Sequence, residues 1–372
     1  MRDRQRQGLE ATSRLTFVRE LRSFALGGLP GMFRADEGLY AFRVRRNSVG
    51  VHTEGVSRRY TAITVIGLAT EPAPERALGT TSLRELCERL IREIPSMTSL
   101  GDVALTLWAC ALTGHGDREV ARARLLAMSP DRAAYPTVEV AWALAATCDD
   151  ASPATAGLRS RRSARLIDAL GPSAVFPHVL GGGGGWRAHV SCFADMVYPI
   201  QALAHHHRLF DDRSAIDAAS RAADFICRHQ GPAGQWWWHY DCRTGSVIEP
   251  YPVYAVHQDA MGPMALFAVQ DASGRDFAEA VARSLDWLRS SPELDGGSLV
   301  DAEAKLIWRK VARAEPGKLS RYLQATASRI HAGLRVPFVD ALFRPGAIDY
   351  EDRPYHLGWL LHAFPENRPV QA

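Results

Sequence analysis

The chain has 372 residues, of which 47% are hydrophobic, and its formal net charge is +3. This size and apolar content are enough for a large buried core, in one domain or in several. The basic residues are scattered along the chain and form no single stripe, which argues against nucleic-acid binding.

Nothing in the sequence predicts export or a membrane span. The first residues, MRDRQRQGLEATSR, are charged with no apolar run behind them, and we expect residues 1–12 to form a flexible tail. No uninterrupted apolar stretch reaches about 18 residues. The six cysteines are widely spaced, with no CxxC pair, which favours reduced thiols and a cytoplasmic location.

Two kinds of helical pattern alternate along the chain. One is amphipathic, as in an outer helix with a solvent face, and the other is apolar nearly all round, as in a buried inner helix. A weak alternation over 40–46 and 48–53 predicts a small hairpin, and the glycines of 181–185 predict a flexible loop. The predicted outer helices are 14–26, 81–94, 117–129, 157–170, 212–229 and 275–290, with an extra helix at 318–332. The predicted inner helices are 59–70, 99–113, 136–147, 191–207, 256–270 and 352–363.

Part of this pattern repeats. RAADFI at 221–226 corresponds to RSLDWL at 283–288, and DMVYP at 195–199 corresponds to DAMGP at 259–263. A repeated pair of helices, one buried and one amphipathic, indicates two concentric rings. The sequence therefore predicts an all-α fold, an (α/α)6 toroid, in a single domain that spans residues 1–372.

Two stretches resemble known toroid proteins, and together they lie within residues 186–363. RAADFICRHQGPAGQW resembles the QW motif of the terpenoid cyclases, with Gln230 and Trp236 at the matching positions, which implies that Gln230 stacks on Trp236. DRPYHLGWLLHA is similar to the late inner helix of protein prenyltransferase β subunits, in which a metal-binding histidine follows a tyrosine; His356 would be that residue. The DxDD motif of class II cyclases is absent. The adjacent Asp241 and Cys242 do not have the prenyltransferase spacing.

Five of the six predicted inner helices carry an acid near the N-terminus. Such an acid either stabilises the helix end or, in a toroid whose inner helices open at that end, lines the cavity. Two carboxylates there could act as an acid and base on a glycoside. Alternatively, one desolvated carboxyl could stay protonated and give a proton to an alkene or epoxide. The acids are Asp102, Glu139, Asp195, Asp259 and Asp352.

The densest groups of polar and aromatic residues are in GQWWWHYDC, YPVYAVHQDAM and IDYEDRPYH. We predict four catalytic residues, with Asp259 or Asp195 as the proton donor and His257 as the residue that orients it; Asp352 is the fourth. We expect no cofactor and no metal site, because the three consecutive histidines at 205–207 cannot share one helix face. The predicted substrate-binding residues are Trp237, Trp238, His239, Asp241, Tyr198, Tyr251, Tyr254, Tyr355 and His356.

Three functions stay open at this level. The first is a terpenoid cyclase-like or prenyl-handling enzyme with a carboxylic acid in an aromatic-lined central cavity, where π faces stabilise positive charge. The second is a carbohydrate-active toroid (a glycoside hydrolase, lyase or epimerase) with paired carboxylates. The third is a toroid that binds a partner without catalysis. The expected ligand is a small molecule, an isoprenoid or a saccharide, and no oligomeric state is favoured.

Overall fold

The computed structural model describes residues 2–128 and 133–368, and within the first helix it describes side chains from residue 12 onward. Six inner helices are surrounded by six outer helices, so the predicted all-α (α/α)6 toroid in a single domain is confirmed. The inner helices are Arg58–Leu68, Leu100–Thr113, Thr137–Asp150, Phe193–Phe210, Gly262–Ser273 and Pro354–Ala363. The outer helices are Arg2–Gly28, Leu83–Glu93, Arg118–Ala127, Ala156–Ala169, Arg213–Arg228 and Ala278–Arg289.

The predicted bounds agree closely with these elements except for the first outer helix, which was predicted at 14–26 and spans Arg2–Gly28. The extra helix predicted at 318–332 is Leu319–Ile330, and the fifth inner helix is preceded by one π-helical turn, His257–Met261. The last residue of the predicted helix 117–129 lies outside the described residues. The first helix begins at Arg2, and most side chains of the predicted flexible tail lie outside the described set, so the flexibility of that tail stays a prediction.

The second inner helix shows how the sequence makes a buried helix. Ser99 caps its start by accepting a hydrogen bond from the backbone N–H of Asp102, at 3.3 Å. From Leu100 to Cys110 every residue except Asp102 is buried, as the nearly unbroken apolar run requires. Gly114 ends the helix in the left-handed conformation, with φ of +70°.

Each inner helix packs beside the next, and the sixth packs against the first, which closes the ring. This last contact depends on two glycines. A Cβ atom added to Gly67 would lie 2.7 Å from the carbonyl carbon of Gly358 and 2.8 Å from its Cα. A Cβ added to Gly358 would lie 2.8 Å from the carbonyl oxygen of Ile63. Only glycine therefore allows the two backbones to approach this closely.

The interior of the ring is filled by aromatic side chains. Trp142 contacts Tyr198, with ring centroids 5.0 Å apart, and Tyr198 contacts Trp359 at 5.7 Å. Trp359 in turn lies 5.7 Å from Trp108. These four residues come from the third, fourth, sixth and second inner helices and are at most 5% exposed. A separate cavity of about 260 Å³ lies at the C-terminal end of the ring, lined partly by Asp149.

Short strands collect at the other end of the ring, where the inner helices begin. The predicted hairpin is present as Leu39–Asn47 paired with Gly50–Val56, but most of the other strands have two to five residues and were not predicted. The hairpin sheet also contains Phe33–Arg34 and Glu351–Asp352. The remaining sheets pair Val190–Cys192 with His239–Asp241 and Val247–Glu249, Val253–Tyr254 with Lys310–Arg313 and Pro345–Asp349, Tyr135–Pro136 with Val179–Leu180, and Val300–Asp301 with Leu306–Ile307.

The QW-like stretch joins neighbouring elements of the toroid. The side-chain amide of Gln230 donates to the carbonyl oxygens of Gly234 and Ala280, at 3.0 and 2.9 Å, and so links two successive outer helices. Trp236 is fully buried and stacks on Phe193, with centroids 5.6 Å apart. The stack of Gln230 on Trp236 itself stays a prediction. Among the helices of the described segments, none has the length and apolar character that a bilayer crossing requires.

The glycine contact between the first and sixth inner helices is directly testable. We expect Gly67→Ala to lower the free energy of unfolding by about 1–3 kcal/mol or more, because the added methyl group meets backbone atoms that cannot rotate away. Gly31→Ala is the matched control, since a Cβ at Gly31 has no atom within 4 Å among the described residues. Urea unfolding of both variants measures the difference. Equal midpoints for the two variants would refute the close-approach argument.

Candidate functional site

The first turns of all six inner helices meet at one end of the ring, which we call the mouth. Pairs of residues from these turns contact each other around the ring. Arg59 contacts Asp102, for example, and Tyr60 contacts Tyr355. The inner helices are therefore parallel to one another, and the acids predicted near their N-termini all lie at this end.

Asp259 contacts His356 in the buried wall of the mouth. The Nε2 atom of His356 lies 2.8 and 3.0 Å from the two carboxylate oxygens of Asp259, and its Nδ1 lies 3.7 Å from Asp352. Asp352 also accepts hydrogen bonds from the backbone N–H groups of Ile307 and Arg353, at 3.0 and 2.6 Å. The histidine thus lies between two carboxylates, both with no exposed side-chain surface.

This arrangement shifts the pKa values of the group. Burial alone would lower the pKa of His356, but Asp259 and Asp352 outweigh that effect and raise its pKa to about 10. Burial also raises the pKa of Asp259, although the neighbouring His356 opposes the change. A proton is therefore held between the fifth and sixth inner helices at neutral pH, on the histidine.

The predicted partner of Asp259 was wrong, because the carboxylate contacts His356 and not His257. Residues two positions apart on a helix point in different directions, so His257 and Asp259 cannot face each other. His257 instead stacks against Trp238, with centroids 5.7 Å apart, and lies 4.7 Å from Phe193. Burial lowers the pKa of His257 to about 3, so its ring is neutral. Its ring packs among the rings of Phe193, Trp238 and Tyr254.

Aromatic rings of the predicted site do come together beside this histidine and in the neighbouring wall. The rings of Trp238 and Tyr254 contact each other at a tilt, with centroids 4.5 Å apart, and those of Tyr355 and Tyr60 do so at 4.7 Å. Tyr198 belongs to the aromatic interior described above. Together, these rings form the wall and floor of the mouth.

Sequence analysis did not predict two arginines that contact aromatic rings at the mouth. Arg353 donates to the Tyr60 hydroxyl at 2.6 Å and lies 4.7 Å above the ring of Phe42. Arg309 lies 5.2 Å above the ring of Tyr254. A cation over an aromatic face is stabilised by the ring quadrupole. Each of these arginines is close in sequence to an aromatic residue. Basic residues are common on protein surfaces, however, so this proximity alone did not identify the two arginines as site residues.

Arg59 holds together the acids of the second and third inner helices. Its Nε lies 2.7 Å from Asp102, and its Nη2 lies 3.0 Å from Glu139. Ser99 and the backbone N–H of Gly101 also donate to Glu139, each at 3.0 Å. Asp102 is 25% exposed and Glu139 13% exposed, so solvent reaches both carboxylates.

A cavity of about 540 Å³ opens beside this pair of acids. Asp102 and Arg59 line it together with the aromatic rings of Phe42 and Tyr60. Charged residues from the neighbouring outer helix, among them Glu93, complete its wall. The cavity is therefore polar, with two aromatic faces and an accessible carboxylate.

Asp195 lies in a different part of the mouth, at the start of the fourth inner helix. One of its oxygens accepts a hydrogen bond from the backbone N–H of Cys192 at 2.8 Å, which caps the helix as an acid at this position can. The same oxygen lies 3.0 Å from the Nδ1 of His178, and this interaction raises the pKa of the histidine. His239 is buried nearby on the strand paired with that of Cys192. Sequence analysis did not predict that His178 contacts Asp195.

Three predicted binding residues have structural partners away from the cavity. Asp241 is fully buried and forms two hydrogen bonds with the guanidinium of Arg243, at 3.0 and 2.7 Å. Tyr251 donates from its hydroxyl to Glu293 at 3.0 Å, and Trp237 packs edge-on against Tyr251. None of these three residues lines the cavity, and neither do the other six predicted binding residues, although Tyr355 contacts Tyr60 in its wall.

The mouth and the two rings define the class of fold, the (α/α)6 toroid found in several kinds of enzyme. No protein-family model matches the chain, and no curated protein sequence matches it. Several solved structures, in contrast, do match the chain. The unsaturated glucuronyl hydrolase of Bacillus sp. GL1, described as responsible for glycosaminoglycan degradation, is 11% identical, with 95% of this chain and 97% of that chain covered and a TM-score of 0.60.

Two other solved structures have the same architecture. A sugar epimerase from a ruminal bacterium is 10% identical, with 93% and 98% of the two chains covered and a TM-score of 0.57. The type II terpene cyclase MstE from Scytonema is 13% identical, with 96% and 99% covered and a TM-score of 0.53. At this identity, the likeness shows the fold alone.

The Asp259–His356 pair makes stability depend on pH. The folded pKa of His356, about 10, is above the 6.5 of an unperturbed histidine, so the stability it contributes is complete below about pH 6.5 and is lost as the pH rises toward 10. We expect His356→Gln to cost about 3–5 kcal/mol near pH 6.5, because it leaves Asp259 buried without a partner. The cost shrinks as the pH rises, and urea unfolding across this range measures it.

His362→Gln is the matched control for this experiment, because His362 is on the same helix and is also largely buried. Burial lowers the pKa of His362 to about 4, so its charge does not change between pH 6.5 and 10. The effect of this substitution should therefore be constant over that range. A cost for His356→Gln that is equally constant would show that His356 is neutral in the folded protein.

Proposed function

We propose that this protein is a carbohydrate-active enzyme that performs acid–base chemistry on a saccharide at the mouth of the toroid. The observation that carries this proposal is the pair of accessible carboxylates, Asp102 and Glu139, beside a polar cavity. Asp195, Asp259 and Asp352 have no exposed side-chain surface, so a substrate in the mouth cannot touch them without a rearrangement.

The spacing of the pair suits glycoside chemistry. Asp102 and Glu139 contact neighbouring nitrogens of one guanidinium, at 2.7 and 3.0 Å. The contacting oxygens must therefore be closer than about 9.5 Å, the upper limit for the paired carboxylates of glycoside hydrolysis. Asp102, which lines the cavity, is the residue we assign to proton transfer. Glu139, held by three donors, is assigned to the second position and Arg59 to their orientation.

The cavity walls also suit a sugar. The rings of Phe42 and Tyr60 are stacked, with their planes 16° apart, and the ring of Tyr60 also contacts the ring of Tyr355. Aromatic faces cover the apolar face of a sugar ring, while the surrounding charged groups supply hydrogen bonds to its hydroxyls. The filled interior of the ring supports the same choice, since a hydrocarbon-folding enzyme needs its apolar volume at the centre.

A terpenoid cyclase-like function is the second candidate, and one observation favours it. Asp259 is fully buried on the turn that also carries His257, whose ring stacks on Trp238, and burial raises the pKa of Asp259. A carboxylic acid kept protonated in such surroundings can donate a proton to an alkene. In the free protein the proton is on His356, so this function requires its transfer to Asp259 before the alkene is protonated. His356 would then orient the acid. In this function a prenyl substrate has to reach the interior past Tyr254 and Trp238.

A ligand panel separates these functions. We expect an unsaturated uronyl disaccharide or a neutral disaccharide to raise the melting temperature and to be turned over, because ligands that bind the folded state stabilise it. A prenyl diphosphate should have no effect. Stabilisation by the prenyl diphosphate alone would support the cyclase-like function, and saccharide binding without turnover would indicate the non-catalytic binding protein.

Asp102→Asn tests the assignment of the proton-transfer residue. With the saccharide that is turned over, we expect kcat to fall by about 10²–10⁴-fold with KM little changed, since the amide keeps the shape of the side chain but cannot transfer the proton. Asp117→Asn is the matched control: it changes an acid at the start of an outer helix, where asparagine caps equally well. A variant Asp102→Asn with normal kcat would exclude Asp102 from the chemistry.

Asp259→Asn tests the second candidate. If the enzyme cyclises a prenyl substrate, this variant should lose that activity completely, because an amide cannot protonate an alkene. Asp271→Asn, which changes an acid paired with Arg368 at the far end of the same inner helix, should retain it. Product analysis by gas chromatography measures both variants. Cyclised product from the Asp259→Asn variant would rule out Asp259 as the donor.

A further inference from the structure

Three side chains of different chemistry meet at the start of the fourth inner helix, apart from the Asp102 cavity. His178 comes just before the strand Val179–Leu180, Cys192 ends the strand Val190–Cys192, and Asp195 is in the first turn of the helix. One nitrogen of His178, the sulfur of Cys192 and one oxygen of Asp195 all lie within 4.8 Å of one another. Folding thus brings together residues up to 17 positions apart in sequence.

This set of donors is selective for one kind of metal ion. Zinc takes thiolate, imidazole and carboxylate ligands, whereas calcium and magnesium prefer oxygen ligands alone. Because each bond from zinc to its ligand is about 2.0–2.3 Å long, atoms no more than 4.8 Å apart need only small side-chain rotations to share one ion. The Asp195 oxygen and the His178 nitrogen are already 3.0 Å apart.

His239 supplies an independent observation. It lies directly opposite Cys192 in the antiparallel pair of strands, so the two side chains are on the same face of the sheet, at neighbouring positions. The His239 side chain is buried, with 5% of the residue exposed, and within the described residues its Nδ1 has no hydrogen-bond partner. An unpaired buried nitrogen costs free energy unless a further partner satisfies it.

We propose that His178, Cys192 and Asp195 bind a zinc-type divalent ion at the mouth of the toroid, beside the buried, unpaired nitrogen of His239. This site does not use His356, the residue that the prenyltransferase resemblance suggested as a metal ligand. The side chain of His178 is 54% exposed, so an ion can enter from solvent and one coordination position can face the mouth.

Binding changes the protonation of the group in a defined way. The thiol of Cys192 gives up its proton to solvent and becomes a thiolate. The Nδ1 of His178 now donates its proton to Asp195, so this proton must also leave, to solvent from a charged ring or by transfer to Nε2 in a neutral one. The freed lone pair of Nδ1 and an oxygen of Asp195 then each bind the ion in place of their present contact. No electron transfer is involved, and the ion keeps its +2 charge throughout.

Cobalt(II) is the probe for this site, because it occupies zinc sites and reports on its ligands by colour. Tag-free protein, treated with a chelator and dialysed, is titrated with cobalt(II) chloride. We expect one equivalent to bind, with visible bands of a tetrahedral ion and a near-ultraviolet band from sulfur to cobalt. Zinc(II) should displace the cobalt and abolish these bands.

The variants identify the ligands. Cys192→Ser should remove the sulfur-to-cobalt band, and His178→Ala should weaken cobalt binding by about tenfold or more. Cys242→Ser is the matched control, a half-buried cysteine at the end of the strand paired with that of Cys192, and it should keep the band. If Cys192→Ser does not fold, the exposed His178 still provides the test. Absence of binding by the native protein, or a sulfur band that persists in Cys192→Ser, would overturn the proposal.

Discussion

The whole ring depends on the contact between two glycines, Gly67 and Gly358. Five of the six neighbouring pairs of inner helices can be brought together one after another along the chain, but the sixth pair joins elements almost 300 residues apart. At this closing contact the backbones touch without side chains between them. The same contact brings Tyr60 beside Tyr355 and lets Arg353 reach the Tyr60 hydroxyl, so the wall of the candidate cavity is a product of ring closure.

Two separate groups of polar contacts hold the inner helices together at the mouth. Arg59 joins the first three inner helices, while His356 joins the sixth to the fifth through Asp259. The two groups differ in their access to water. The Arg59 group is partly exposed, so its charges can exchange partners with a ligand, whereas the Asp259 group is sealed and its charges stabilise each other. This difference, more than the identity of the acids, separates a group suited to acid–base chemistry from one suited to positioning.

The fold could be predicted from sequence because its signal is long and periodic. Each inner helix is an apolar run of ten or more residues, and their regular alternation with amphipathic helices specifies the rings. Most of the short strands at the mouth were missed, since segments of two to five residues carry too little alternation to be detected. The candidate site was predicted only in part. The acids at the helix starts were visible, but the choice of His356 over His257, and the parts of Arg59 and His178, depend on which helices become neighbours.

The row of aromatic rings from Trp142 to Trp108 closes the centre of the toroid, so the mouth is a depression and not a channel through the ring. It separates the mouth from the cavity at the opposite end, so a molecule that enters at the mouth has to leave by the same route. A long polymer therefore cannot thread through the centre of the ring. A ligand held at the mouth therefore has to leave before another can take its place.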